Sequence, residues 1–221
     1  VSRRTKWEII FIKKIMNTYL KAPKAISIGP CLIIGFLIVF SISGIGFLLS
    51  ENQFLSNSLL FSSGWFFWTF FEYSVHRFFM HELIVPQAKK DIINHRYHHR
   101  NPQDIKINLK HRLFILLIIS IVAFFAFQIG GFMMNLLGFL VGLSNYTFLH
   151  YLLHRPIGGV LLPRVQRNHI LHHSIRPNHG FSFSTVLWDW LFNTLPPKSD
   201  IVTKKMMEFY FQDLQTIKQN P

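Results

Sequence analysis

The chain has 221 residues, half of them hydrophobic and 24 of them Phe, with a mean hydropathy of +0.28 and a formal net charge of +13. That composition excludes an ordinary water-soluble domain, because the excess apolar surface needs lipid to cover it. The single cysteine, Cys31, excludes both a disulfide framework and a thiolate metal cluster.

In chain order, the first pattern is KWEIIFIKKIMNTYL, Lys6 to Leu20, where basic and bulky apolar groups alternate at roughly helical spacing. It predicts a helix lying on the membrane surface, or else an ordinary packed helix. Gly29 to Ser50 is a run of 22 residues without a charge. At about 1.5 Å of rise per residue it crosses a hydrocarbon core of roughly 30 Å. It is the first of four expected spans, at about 29–50, 57–77, 110–129 and 132–153. The third is the weakest, since only the 15 residues from Leu113 to Phe127 precede Gln128, and it must borrow a turn at one end. No cleavable signal peptide is expected, because the first long apolar run already has spanning length and starts well inside the chain. Residues 1–28 read as a cytoplasmic or interfacial N-terminal segment and 29–221 as a single integral membrane domain.

All 23 Lys and Arg fall in three segments: seven before residue 29, eight from Arg77 to Arg112, and eight from Arg155 onward. The turns around Glu51 to Ser56 and Gln128 to Gly131 have none. The positive-inside rule then predicts an all-α membrane protein of two helical hairpins, with both termini and the middle segment cytoplasmic, in a bacterial inner membrane or an ER-type membrane. The charge therefore reads as topology and attraction to anionic headgroups, not as a nucleic-acid footprint.

The second and fourth spans are each followed by the same pattern. EYSVHRFFMH leads to NHRYHH, and NYTFLHYLLH leads to NHILHH, with 14 positions from His81 to His95 and 15 from His154 to His169. Internal duplication explains this, and it puts every histidine cluster at one membrane boundary. On a helix, i and i+3 or i+4 share a face, which joins His95 with His98 and His99, His169 with His172 and His173, and His150 with His154. His76 and His81, five apart, rotate by about 140° on an ideal helix. Either the segment bends there or the two rings serve different metals. Adjacent pairs such as His98 and His99 point about 100° apart, which suits two neighbouring ions.

Read singly, a histidine on an apolar helix is a hydrogen-bonded core residue, and a His-rich tract is a loose metal-scavenging loop. Eleven of the twelve histidines, however, lie in these clusters or just after them, and ionisable groups at a membrane boundary are costly enough to need a reason. Imidazoles without carboxylates or thiols suit zinc, copper, nickel or iron, and about ten of them suggest two ions with room for a further ligand. His111 stands apart, beside Arg112, as a surface residue.

HRFFMH, HRYHH, HYLLH and HILHH, each beside an expected span, resemble the histidine boxes of the membrane fatty acid hydroxylase and sterol desaturase superfamily, in family order. GFSFSTVLWDWLFNTL at 180–195 is similar to the stretch that follows the last box in fatty acid 2-hydroxylases. The resemblance covers roughly residues 60–197. It implies a four-helix transmembrane stalk under a cytoplasmic helical cap, with a dimetal site held by His76, His81, His95, His98, His99, His150, His154, His169, His172 and His173. It implies two iron ions, with zinc as a substitute in purified protein, and O2-dependent hydroxylation of a lipid, most simply a fatty acyl chain drawn from the bilayer. Electrons would come from a separate donor, cytochrome b5-like or a ferredoxin with its reductase. The interval from His81 to His95 is shorter than in fatty acid 2-hydroxylases, so a cap loop is expected to be trimmed. His179 matches no ligand of the family and stays open as an orienting donor, a substrate contact or a ligand.

Glu72, four positions before His76, is expected either to hydrogen-bond a ligand ring or to make a cap or interhelical bond. Asn94 and Asn168 are expected to orient histidines or cap helices. Asp189 reads as structural or headgroup-facing, and the run from Trp65 to Phe71 as lipid-facing, with an acyl tunnel as the alternative. Desaturation of a lipid or sterol is the alternative reaction within the same chemistry. A haem electron-transfer protein would need histidines deep in the bilayer, and a metal transporter would need ligands near the midplane. Neither suits histidines gathered at one boundary.

Overall fold

The computed structural model describes residues 24–49, 51–82, 95–105 and 108–211. The segment Lys6 to Leu20, the rest of the N-terminal region before Lys24, and Asn94 lie outside them. Among the described residues the protein is helical, with no strand.

Four long helices carry the body: α1 (Ile28–Leu48), α2 (Gln53–Ser74), α4 (Leu109–Ile129) and α5 (Phe132–Leu153), with α3 (His95–Arg100) between the two pairs. Asn52 starts α2 by accepting a hydrogen bond from Leu55 N at 3.0 Å, and Asn108 starts α4 by accepting from His111 N at 3.3 Å. Between α4 and α5, Gly130 and Gly131 sit at φ +68° and +55°, a left-handed turn that side chains resist. Both pairs are hairpins, so the C-terminal ends of α2 and α5 come to the same end of the bundle.

Side by side the helices run α1, α2, α5, α4. The inner pair packs backbone to backbone. A Cβ on Gly64 would strike the Asn135 carbonyl, and one on Gly138 would strike the Phe61 carbonyl, the close approach that small residues permit between membrane helices. Polar groups join the same seam: Asn135 Nδ2 donates to Ser63 Oγ at 2.7 Å, and Ser43 Oγ to Ser63 Oγ at 3.1 Å.

Among the described residues three helices, α1, α4 and α5, are long and apolar enough to cross a membrane, and the chain is a membrane protein. Four spans were expected. The remaining one, α2, has the length, but its serines, Asn57, Glu72 and Tyr73 lower its apolarity. Its interior position accommodates Ser56, Ser63, Glu72 and Tyr73, which are buried within the protein rather than facing lipid. The expected weak span is in fact strongly apolar, because α4 gains its missing turn from Leu109 to Arg112.

At the histidine end, short helices fold over the body: α6 (Ile157–Leu161), α7 (Pro163–Ser174), α8 (Leu187–Leu191) and α9 (Lys204–Tyr210). Tyr73, Phe181, Trp188 and Phe192 form a core that fastens residues 181–192 to α2, with Trp188 Nε1 donating to Thr69 Oγ1 at 2.9 Å. Buried Arg77 donates to Glu82 Oε1 at 2.7 Å, Tyr73 OH at 2.8 Å and the Ile26 carbonyl at 2.7 Å, tying the start of α1 to the end of α2.

Candidate metal centre

The awkward five-residue step from His76 to His81 is resolved by a change of helix. After Ser74 the chain continues as a π-helix, Val75–Glu82, whose i→i+5 hydrogen bonding stacks residues five apart. Both rings then face the same point, with centroids 5.0 Å apart. Of the two options the spacing left open, the backbone change is the one found.

On α3 and α7 the adjacent pairs divide. His76, His81, His95, His99 and His172 form one group whose ring nitrogens lie within 4.8 Å of one another, and His98, His150, His154, His169 and His173 form a second. All ten expected residues fall in these two groups. The one-residue step between His98 and His99, and between His172 and His173, sends the neighbours to different groups, as a rotation of about 100° requires. Each half of the duplication supplies four rings to one group and one to the other, His98 and His172 being the exchanged pair.

Within the first group, His95 Nε2 lies 2.8 Å from His81 Nε2 and 3.0 Å from His99 Nε2. In the second, His154 Nε2 lies 2.9 Å from His169 Nε2. An imidazole nitrogen has one proton or one lone pair, so His95 Nε2 cannot make two good hydrogen bonds to two other ring nitrogens. A shared cation fits: at a metal–nitrogen distance of about 2.1 Å, nitrogens on adjacent octahedral corners are about 3.0 Å apart. His76 Nε2, His98 Nε2, His150 Nε2 and His172 Nε2 are buried with no hydrogen-bond partner, atoms that need a ligand. Burial, reinforced by neighbouring imidazoles, holds His81 down to about 3 and His98 to about 4, and pushes His169, His172 and His173 well below the ordinary range. At neutral pH these rings are uncharged, which is the ligating form.

A strap, residues 179–184, crosses over the rings. His76 Nδ1 donates to the Phe181 carbonyl at 2.6 Å, and His172 Nδ1 to the His179 carbonyl at 2.8 Å, so each presents Nε2 inward. His179 contributes its backbone oxygen to this arrangement, and its side chain joins neither group. The strap is itself held by two buried carboxylates. Glu72 accepts from Phe183 N at 2.6 Å and Ser184 N at 3.0 Å. Asp189 accepts from Phe181 N at 3.0 Å, Ser182 N at 2.9 Å and Thr194 Oγ1 at 2.7 Å. Glu72 thus bonds the strap, neither a ligand ring nor a neighbouring helix, and Asp189 is structural. Phe183 wedges between the groups, stacked on His76 at 4.6 Å and contacting His150 at 4.5 Å. Asn168, mid-helix in α7, accepts from Arg167 at 3.1 Å and orients no histidine. His111 is exposed, as expected.

Reasoning from sequence missed the two strap carbonyls, Phe183 and Tyr210, whose ring lies 4.6 Å from that of His154. Backbone acceptors leave no sequence signal. Asp189, a lone acid in the apolar stretch LWDWLF, did mark a buried carboxylate in need of donors. Trp65 and Phe66, with Ile42, Phe61 and Val141, line a cavity of about 580 Å³ between α1, α2 and α5, while Trp68 and Phe70 of the same run are buried in the core.

Residues 61–194 match the family model described as "Fatty acid hydroxylase". The chain belongs to the fatty acid hydroxylase family. The match runs from within α2 through α8 and ends before α9. Among curated relatives in the family, fatty acid 2-hydroxylase of Mus musculus is 31% identical over 166 residues, 68% of this chain and 42% of that one. Dihydroceramide fatty acyl 2-hydroxylase of Arabidopsis thaliana is 28% identical over 152 residues, 60% of this chain and 59% of that one. Ceramide very long chain fatty acid hydroxylase of Saccharomyces cerevisiae is 27% identical over 155 residues, 66% of this chain and 40% of that one. The chain therefore spans about two fifths of the mouse and yeast relatives it matches. The solved structure of full-length Scs7p, of which the hydroxylase domain is visible, shares the fold at a TM-score of 0.50 and 23% identity, covering 79% of this chain and 68% of that one.

Proposed function

We propose that the protein is an O2-dependent membrane monooxygenase that hydroxylates a lipid, most simply a fatty acyl chain, at a di-iron centre. The observation that carries this reading is the sorting of ten buried or half-buried imidazoles into two groups of five, each converging on one point. Family membership supports the reaction class, and the names of the relatives, fatty acid and ceramide hydroxylases, favour a fatty acyl substrate.

When bound, two iron ions would supply the O2 activation that cleaves an unactivated C–H bond. His76, His81, His95, His99 and His172 would hold one ion, and His98, His150, His154, His169 and His173 the other. The carbonyls of Phe181 and His179 fix two of these rings in one tautomer. Phe181, Phe183 and Tyr210, all nearly fully buried, exclude water from the rings. The apolar cavity beside Trp65 and Phe66 offers an acyl chain a place among α1, α2 and α5. In this reading α2 is a fourth span, the histidine end is cytoplasmic, and a separate cytochrome b5-like or ferredoxin donor supplies electrons.

Lipid mass spectrometry of cells with and without the protein, grown under 18O2, tests it. A lipid gaining one labelled oxygen atom is expected. A lipid losing two hydrogens instead makes the protein a desaturase, and no changed lipid in the presence of an efficient electron donor overturns the proposal.

A further inference from the structure

The two histidine groups are held in different ways. In the first, His76 and His172 each donate from Nδ1 to a strap carbonyl. In the second, among the described residues, the sole hydrogen bond to any ring nitrogen is the contact between His154 and His169. His154 Nδ1, His169 Nδ1 and both nitrogens of His173 are buried without a partner on the protein. What supports these rings is aromatic packing from α9. Tyr210 lies nearly parallel to His154, at 4.6 Å and 19°, and meets His173 at 5.6 Å and His169 at 6.1 Å. It is 1% exposed, and its hydroxyl donates to the Leu153 carbonyl at 3.1 Å, next to His154 in the chain. The helix that delivers it is started by Thr203, which accepts from Met206 N, and α9 packs on α7.

Resting on the di-metal reading, we propose that Tyr210 is a positioning residue for the second group alone, and that this group is the weaker of the two metal sites. The reasoning follows from what a hydrogen bond does for a ligand. A carbonyl accepting from the distal nitrogen fixes the tautomer, aims the ring and raises its basicity, and its loss typically lowers metal affinity about 10–100-fold. Among the described residues the second group has no such acceptor, so its rings are aimed by packing: Tyr210 lies on His154, His169 and His173, Phe183 on His150 and His169, and Tyr146 on His150. Tyr210 makes its histidine ring contacts with His154, His169 and His173, none of them in the first group, which keeps its strap.

The test is metal content, measured by mass spectrometry of the full-length protein purified in detergent, alongside graded chelation. The wild type is expected to hold two equivalents and to lose them in two steps, the first at a chelator concentration about 10–100-fold below the second. His173→Ala should lack the easily lost equivalent and keep the tight one. Tyr210→Leu should retain about one equivalent, and Tyr210→Phe, which keeps the ring and loses only the hydroxyl, should retain two. Release of both equivalents in a single step, or Tyr210→Leu keeping two or losing both, overturns the proposal while leaving a di-metal protein intact. A wild type that binds fewer than two equivalents under metal-replete conditions overturns the di-metal reading itself, and this inference with it.

Discussion

Glu72 shows how a buried acid can act on a site it does not touch. Its carboxylate gathers two backbone N–H groups of the strap, and the strap in turn presents the Phe181 carbonyl to His76. A buried hydrogen bond contributes about 0.5–1.5 kcal/mol, and an orphaned buried N–H costs about 1–3 kcal/mol. Glu72→Ala is therefore expected to lower the unfolding midpoint in urea and to loosen the metal bound by the first group, whereas Glu72→Gln should lose less of both. Equal metal retention in the two variants would show that the strap does not depend on this carboxylate. His179 gives the opposite expectation. Because its backbone oxygen is the acceptor, His179→Ala should keep its metal, while His172→Ala should lose an equivalent; metal analysis of the two proteins decides it. The gathering of the ten histidines was legible in the sequence, since three histidines in five positions, twice, have few other uses, and the structure sorts them into two groups. The route by which Glu72 acts was not, because its partners are amides 111 and 112 residues away that any side chains would carry.

The helices illustrate which features periodicity can and cannot report. A one-residue step turns an α-helix by about 100°, so the parting of His98 from His99 and of His172 from His173 could be expected from spacing alone. The π-helix at Val75–Glu82 could not, because no residue type in VHRFFMH marks i→i+5 bonding; the misfit between His76 and His81 showed only that something had to give. Apolarity likewise ranks helices by how much lipid they meet, so the innermost helix, α2, scores lowest although the others depend on it. Its contact with α5 rests on glycine. Gly64→Ala drives a methyl group into the Asn135 carbonyl, and Gly138→Ala drives one into that of Phe61. Overpacking of this kind costs about 1–3 kcal/mol. Each variant is expected to lower the thermal midpoint in detergent, whereas Gly29→Ala, with open space around it, should not. A midpoint unchanged in Gly64→Ala would mean that the helices can separate freely.

For the molecule as a whole, the buried imidazoles make the metal-free fold sensitive to acid. In the unfolded chain a histidine titrates near 6.5, while in the fold burial holds His98 down to about 4 and His81 to about 3. Between those values the unfolded chain takes up protons that the folded chain refuses, so stability is full above about pH 6.5 and falls as pH drops toward 4. Chelated protein should melt at progressively lower temperature from pH 7 to pH 5, and metal-loaded protein should resist this until protons displace the ions. A chelated protein with a flat profile over that range would contradict the burial of the rings. The exchange of His98 and His172 between the halves carries a last consequence. If the chain were cut after Gln103 and the two pieces made together, each would arrive one imidazole short of its own set of five. An ion would then rivet the fragments to each other, and adding metal should tighten their association while chelator weakens it.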